Sequence, residues 1–164
     1  MPALTTPEAK RFYDRFGAKQ DKQDFYEAAA IDVLLAHGDF NHAHSVFELG
    51  CGTGRLARTL LLNFLPATTT YCAVDISSTM VALAADKLSQ FSGRAEVSIY
   101  SGEGNLPVSS QSADRFLATY VFDLLSVPEL RRMLGEAHRI LQPGGLLCLA
   151  GVTSGATFLS RVVS

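Results

Sequence analysis

The sequence predicts a doubly wound α/β domain built on a mostly parallel sheet, and three observations predict it. Short β-rich runs alternate with helical patterns of roughly ten to fifteen residues. Three glycines crowd five positions after the first run, in VFELGCGTGRLA (46–57). An acidic residue, Asp75, closes the second run. Alternation of this kind calls for right-handed crossovers and a parallel sheet covered by helices on both faces. Ligands in such sheets bind outside the carboxyl ends of the strands, where the strand order reverses. The glycine cluster falls at such an end.

Each element has its own justification. Two helical segments come first. TPEAKRFYDRF (6–16) is polar but gathers Phe12, Tyr13 and Phe16, and reads equally as a packed arm or as a lid over the site. KQDFYEAAAIDVLLAHG (22–38) places Phe25, Ala29, Val33 and Ala36 on one stripe, expected to pack on the core, and Gly38 ends it. The first strand, HSVFEL (44–49), runs through the glycines into GRLARTLLLNFL (54–65), where Leu56, Leu60, Leu61 and Phe64 recur at helical spacing. A second strand, TTYCAVDI (69–76), precedes the helix TMVALAADKLSQF (79–91), with Ser77 or Ser78 as its cap and Gly93 as its stop. AEVSIY (95–100) alternates as a third strand, and DRFLATYVFDLL (114–125) starts as a fourth. Pro128 opens a helix running to about Leu141, and GGLLCLAGV (144–152) is the fifth strand, after the QPGG stop.

Composition bounds the function. The chain has 164 residues, 48% of them hydrophobic, with mean hydropathy +0.17, enough for one domain with a substantial core. Net charge is -2 and the isoelectric point is near 6.0. No stretch collects the basic residues that neutralise a phosphate backbone, so nucleic acid is not the expected partner. The N-terminus, MPALTTPEAKRFYDRFGAKQDKQDF, has no apolar signal core, and no run approaches about eighteen apolar residues. The expectation is a soluble, cytoplasmic protein without a membrane partner. Cys51, Cys72 and Cys148 are widely spaced and read as free, mostly buried thiols. His37, His42 and His44 flank the loop before the first strand at spacings that match no metal site.

Gly50, Gly52 and Gly54 allow a sharp turn out of the strand, positive φ where needed, and backbone N–H groups brought against a ligand. One glycine would suffice for a plain strand-to-helix turn, so three in alternation point to a ligand. Asp75 lies twenty-one residues beyond Gly54, where a carboxylate can accept hydrogen bonds from both hydroxyls of a ribose. A dinucleotide site wants GxGxxG, but Arg55 stands where its third glycine would be. Glu48, two residues before the first glycine, suits an ammonium group better than phosphates. A cationic, non-phosphorylated nucleoside fits these residues best.

Taken in order, VFELGCGTGRLA, AVDIS, SGEGNLPV, DRFLATYVFDLL and HRILQPGGLLCLAGV resemble the successive motifs of class I S-adenosylmethionine-dependent methyltransferases, particularly the small-molecule type called methyltransferase domain 11. The resemblance spans roughly residues 12–152 and implies a Rossmann-like sheet of order 3-2-1-4-5 with S-adenosylmethionine as cofactor. It divides the chain into an N-terminal helical lid or arm (1–40) and a cofactor-binding α/β domain (41–164). By the same resemblance Gly50, Gly52 and Gly54, with Cys51 between them, line the methionine part, and Glu48 attracts its amino group directly or through water. Asp75 holds the ribose hydroxyls and Ile76 packs on the adenine face. Glu103 and Gly104 meet the adenine amino edge, although the family more often has GDA there. Thr119 and Tyr120 sit beside the methionine and the transferring methyl, where a Tyr ring favours a sulfonium, and Tyr13 matches a lid tyrosine.

The implied reaction is in-line methyl transfer to an unidentified, small-molecule acceptor, for which no dedicated base is obligatory. Asp123 stands where many relatives carry a His and reads either as a helix initiator or as a group that orients or deprotonates the acceptor. His138 sits mid-helix, on the sheet-packing side or at the surface. Relatives continue past the fifth strand through a helix and an antiparallel strand pair, whereas this sequence closes on TSGATFLSRVVS. The expectation is therefore a C-terminally truncated sheet with reduced turnover, its fifth strand an exposed edge and a route to a homodimer. A non-catalytic cofactor-binding or interaction protein, and an NAD-type oxidoreductase, are the alternatives.

Overall fold

The computed structural model describes residues 6–16 and 24–152. In chain order these form α1 (Thr6–Phe16), α2 (Asp24–His37), β1 (Ser45–Leu49), α3 (Arg55–Asn63), β2 (Thr70–Asp75), α4 (Ser78–Leu88), β3 (Ala95–Ile99), β4 (Ala113–Thr119), α5 (Val127–Ile140) and β5 (Leu141–Ala150). The strands make one sheet of order β3-β2-β1-β4-β5, with every described pairing parallel. The alternation read from the sequence thus becomes the expected doubly wound architecture. Residues 1–5, 17–23 and 153–164 lie outside the described residues, and with them parts of the expected arm and the TSGATFLSRVVS segment that bears on the expected truncated sheet and homodimer.

The alternating strand period puts Val46 and Glu48 on one face of β1, and Phe47 and Leu49 on the other. Val46 joins Phe40, Leu60, Leu61, Tyr71, Ala84 and Leu117 under α2, α3 and α4. Phe47 and Leu49 join Val74, Phe116, Met133 and Ile140 under α5. The Phe47 and Phe116 rings stand 5.3 Å apart between neighbouring strands.

The helices start where local chemistry allows. Gly54, at φ 75°, precedes α3. The Ser77 hydroxyl accepts from the Met80 amide to cap α4. Ser126 and Glu129 form a capping box around Pro128 at the start of α5. Asp123 therefore does not initiate that helix. It lies in a 3-10 turn (Phe122–Leu124), where its carboxylate accepts the Val152 amide at 3.2 Å and fastens the end of β5.

Two other expectations are corrected. The stripe assigned to the core in α2 faces outward, with Ala29 and Ala36 exposed and Val33 60% exposed, while Leu34 is buried and Leu35 packs beside it. The Phe25 side chain lies outside the described side chains. An alanine-rich helix offers several apolar faces, and the one with adjacent leucines buries more area. β5 begins directly after α5 rather than at Gly144, and the pairing register slips between Ala113–Leu141 and Arg115–Leu146 to let Gln142–Gly145 bulge out. β5 has β4 as its one neighbour among the described strands, and Leu146, Leu147, Leu149 and Val152 are exposed along it.

Candidate functional site

The register of the sheet gathers the sequence-predicted residues. Leu49 pairs with Val74 on one side and Ala118 on the other, so Gly50, Asp75 and Thr119 stand abreast at the carboxyl ends of β1, β2 and β4. Asp75 pairs with Ile99, which brings the start of the loop carrying Glu103 and Gly104 alongside. Adjacent strands are about 4.8 Å apart, so four loops share one edge.

The glycine loop is bound into the protein through its own amides. Gly50 N and Cys51 N both donate to Val74 O (2.8 and 3.1 Å), and Gly54 N donates to Cys51 O at 2.9 Å. Gly52 N donates to Asp75 Oδ2 at 2.8 Å. These donors are spent, which corrects the expectation that the loop offers its N–H groups to a ligand. Gly50 and Gly54 hold positive φ for the turn and also make room for neighbours. A Cβ on Gly50 would lie 2.4 Å from Val121 Cγ2, and one on Gly54 would lie 2.9 Å from Ala84 Cα.

Asp75 is buried, and its oxygens are held by backbone amides, among them Gly52 N on Oδ2 at 2.8 Å and Ser77 N on Oδ1 at 2.9 Å. Burial raises its pKa, and the hydrogen bonds from the Ser77, Gly52 and Ile76 backbones oppose the rise. Ser77 continues the network, since its hydroxyl donates to Asp14 Oδ1 at 2.5 Å and so fastens α1 onto the start of α4. Asp14 also pairs with Lys10 at 2.9 Å. Its neighbour Tyr13 is half-buried, edge-on to the Phe12 ring at 5.3 Å.

Glu48 is placed differently from the expectation. Its side chain is 1% exposed and its Oε2 accepts the Tyr71 hydroxyl at 2.9 Å, so it underlies the glycine loop instead of lining its open side. Burial pushes its pKa up to about 7 against the pull of the Tyr71 bond, with Asp75 adding a further rise. Burial likewise holds the Cys51 thiol far above its usual range, and it stays protonated. Tyr71 and Asp14 were not singled out in the sequence. A tyrosine on the next strand, on the same face and two residues before the partner of Glu48, is the signal that could have found the first.

Thr119 ends β4 and Tyr120 follows it, both half-buried. Tyr120 holds φ 57°, a left-handed conformation rare for an aromatic residue, while its amide donates to Ala150 O at 2.7 Å. Ile76 is half-buried, and Glu103 and Gly104 are exposed. His37, His42, His44 and His138 are exposed, with His42 Nδ1 2.6 Å from Asp39 Oδ1. Among the described residues no group of three or more His, Cys, Asp and Glu could hold a metal, and no helix is long and apolar enough to cross a membrane.

The residues present fit a cationic nucleoside. A carboxylate offers about four acceptor sites, so Asp75, with backbone amides on both oxygens, still has capacity for a ribose hydroxyl. The Gly50, Cys51, Gly52 and Gly54 amides are consumed internally and are not offered to a pyrophosphate. Fold and site thus define a doubly wound α/β domain with a buried carboxylate at the end of its second strand.

Comparison with known proteins then gives the family. A methyltransferase domain model matches residues 46–145. The ubiquinone/menaquinone biosynthesis C-methyltransferase UbiE of Methylobacterium nodulans is 34% identical over 106 residues, covering 63% of this chain and 40% of that protein. The tRNA N(3)-methylcytidine methyltransferase Mettl2 of Drosophila melanogaster is 25% identical over 150 residues, covering 85% of this chain and 46% of that protein. The chain thus spans less than half the length of either relative. The fold also matches the phosphoethanolamine N-methyltransferase 1 of Haemonchus contortus, solved with phosphoethanolamine and S-adenosylhomocysteine, at TM-score 0.73 and 21% identity over 94% of this chain and 34% of that one. The chain belongs to the class I S-adenosylmethionine-dependent methyltransferase family, whose cofactor is S-adenosylmethionine.

Proposed function

We propose that this chain binds S-adenosylmethionine across the carboxyl ends of β1 to β4 and transfers its methyl group to a small-molecule acceptor. The observation that carries the reading is Asp75, buried and held by the Gly52 and Ser77 amides, with the donors of the glycine loop already spent. When bound, the cofactor supplies an electrophilic methyl on a sulfonium, open to in-line displacement. Everything asked of the chain is then binding, orientation and exclusion of water.

Asp75 would accept the ribose hydroxyls, and Ile76 would lie against the base. Glu103 and Gly104 would take the adenine edge. The backbone from Gly50 to Gly54, together with Thr119 and Tyr120, would flank the methionine part. Glu48 would act from beneath, through its field. Tyr13 would cover the site from α1, which Asp14 already fastens next to Asp75 by way of Ser77. Near-neutral charge and the lack of a basic stretch favour a small acceptor over nucleic acid, although the Drosophila relative is a tRNA methyltransferase.

Calorimetric titration with S-adenosylmethionine, S-adenosylhomocysteine and NAD tests the cofactor. Binding of both sulfur nucleosides at roughly micromolar Kd, about -8 kcal/mol, with no heat from NAD, is expected. Absence of heat from both sulfur nucleosides would overturn the reading. Label transfer from methyl-labelled cofactor to pooled metabolites, against total tRNA, then tests the acceptor class. Label in tRNA alone would reject the small-molecule reading.

A further inference from the structure

One face of α5 is given over to the segment that joins β3 to β4. Arg132, Glu136 and Arg139 follow one another at helical spacing on that face. Arg132 Nη1 donates to Tyr100 Oη at 2.7 Å and to Gly104 O at 2.6 Å, and its Nη2 donates to Gly102 O at 2.6 Å. The Tyr100 hydroxyl donates in turn to Gly104 O at 2.8 Å. Further along, Glu136 Oε2 accepts the Leu106 amide at 2.6 Å, and Arg139 donates to Val108 O at 2.8 Å while paired with Glu136.

The backbone is shaped for this grip. Gly102 and Gly104 hold φ 86° and 69°, and their carbonyls converge on one guanidinium. Only a planar fork with several donors bridges them, since an ammonium is a point charge on a flexible stem. Without the fork, the exposed, glycine-rich SGEGN tip would keep the Ser101 hydroxyl bonds to Glu103 N and O and the Tyr100 bond to Gly104 O, but would lose its tie to α5 and gain conformational freedom. Between the two gripped carbonyls sits Glu103, exposed, with Gly104 beside it.

We infer that Arg132 is a positioning residue for base recognition, fixing the Gly102–Gly104 backbone so that Glu103 and Gly104 select a 6-aminopurine over a 6-oxopurine. The inference rests on the proposed reading of Glu103 and Gly104 as the residues facing the base. An acceptor held rigidly opposite an exocyclic amine rejects a carbonyl at that position, because two acceptors would be left facing each other. A wandering loop loses that discrimination before it loses all affinity.

The test measures Kd for S-adenosylhomocysteine and S-inosylhomocysteine with wild type, Arg132→Met and Arg132→Lys, and with Arg94→Met as control. Arg94 also clamps carbonyls, Leu61 O and Pro66 O, but before β3, at the opposite end of the strands. Wild type is expected to prefer the adenosyl ligand at least about tenfold. Arg132→Met should lose about ten- to thirtyfold of that affinity, with the base preference falling toward parity and faster amide exchange over 101–106. Arg132→Lys should fall between. Arg94→Met should lower Tm and keep the preference. An Arg132→Met protein that melts earlier but keeps its preference would reduce Arg132 to a structural role and overturn the inference. Should that variant not fold, full preference in Arg132→Lys overturns it equally. A wild type that binds neither ligand, or binds both alike, refutes the underlying site reading instead.

Discussion

The Gly52 amide donates to Asp75 Oδ2 across 2.8 Å, so the residue proposed to receive a ribose also holds the turn of the glycine loop. Binding and folding are therefore coupled at one carboxylate. Asp75→Ala leaves the Gly52 and Ser77 amides without their acceptor, at a cost of roughly 1–3 kcal/mol. Asp75→Asn keeps the shape and one oxygen, and should cost less. Both should weaken S-adenosylhomocysteine binding by about ten- to hundredfold. Urea titrations with and without the nucleoside measure both effects, since the ligand's stabilisation depends on its Kd. A variant equally stable and equally tight-binding would remove Asp75 from both roles.

Gly50 and Val121 form a second coupled pair. A Gly50→Ala side chain meets Val121 Cγ2 at 2.4 Å and must also sit at φ +76°. The conformation alone costs roughly 1–2 kcal/mol, and the clash adds to it. Adding Val121→Ala relieves the clash but leaves the conformational cost. The double variant should therefore be more stable than Gly50→Ala alone, with a double-mutant cycle giving a coupling of roughly 1 kcal/mol or more. Strict additivity would show that Val121 moves aside freely.

Much of this was legible in the sequence because it is written in local pattern. Strand and helix alternation, the serine cap at Ser77, Pro128 at the start of α5 and Asp75 at the end of β2 all depend on neighbours within a few residues. What was not legible depends on packing between elements. VFELG shows that Glu48 precedes the glycines, but nothing local shows that Tyr71, on the next strand, turns the carboxyl inward. The glycines announce a tight turn, but whether their amides serve a ligand or Val74 O depends on the crossing of two strands. In α2, several apolar stripes compete, and only the sheet beneath decides between Val33 and Leu34.

Glu48 predicts a pH dependence. Its folded pKa is about 7, raised above the ordinary carboxylate range, so the folded state holds this proton more tightly than the unfolded chain. The stability it contributes is fully present below its unfolded pKa and is lost as pH rises through about 7. The loss is on the order of 3 kcal/mol. Asp75, raised in the same direction by burial, is present in wild type and Glu48→Gln alike. Glu48→Gln keeps an acceptor for the Tyr71 hydroxyl and cannot ionise. Wild type should lose stability relative to the glutamine variant between about pH 5 and 8, as read from urea midpoints across that range. Parallel curves for the two proteins would mean that Glu48 titrates normally.

Asp14 and Ser77 separate what α1 contributes from what α4 needs. The Ser77 hydroxyl accepts from Met80 N at 3.2 Å and donates to Asp14 Oδ1 at 2.5 Å. Ser77→Ala removes both bonds, and losing the cap alone costs about 1 kcal/mol. Asp14→Ala removes the tie from α1 to Ser77 together with the Lys10 pair inside α1, keeps the Ser77 cap on α4, and at a partly exposed side chain the global cost should stay within about 0.5 kcal/mol. Hydrogen exchange should nevertheless show faster exchange of the α1 amides in both variants, because sub-global opening depends on local ties. If α1 covers the nucleoside as proposed, both variants should weaken S-adenosylhomocysteine by a similar factor despite unequal stabilities. Affinity that follows global stability instead, falling in Ser77→Ala and unchanged in Asp14→Ala, would make α1 a packed arm with no part in binding.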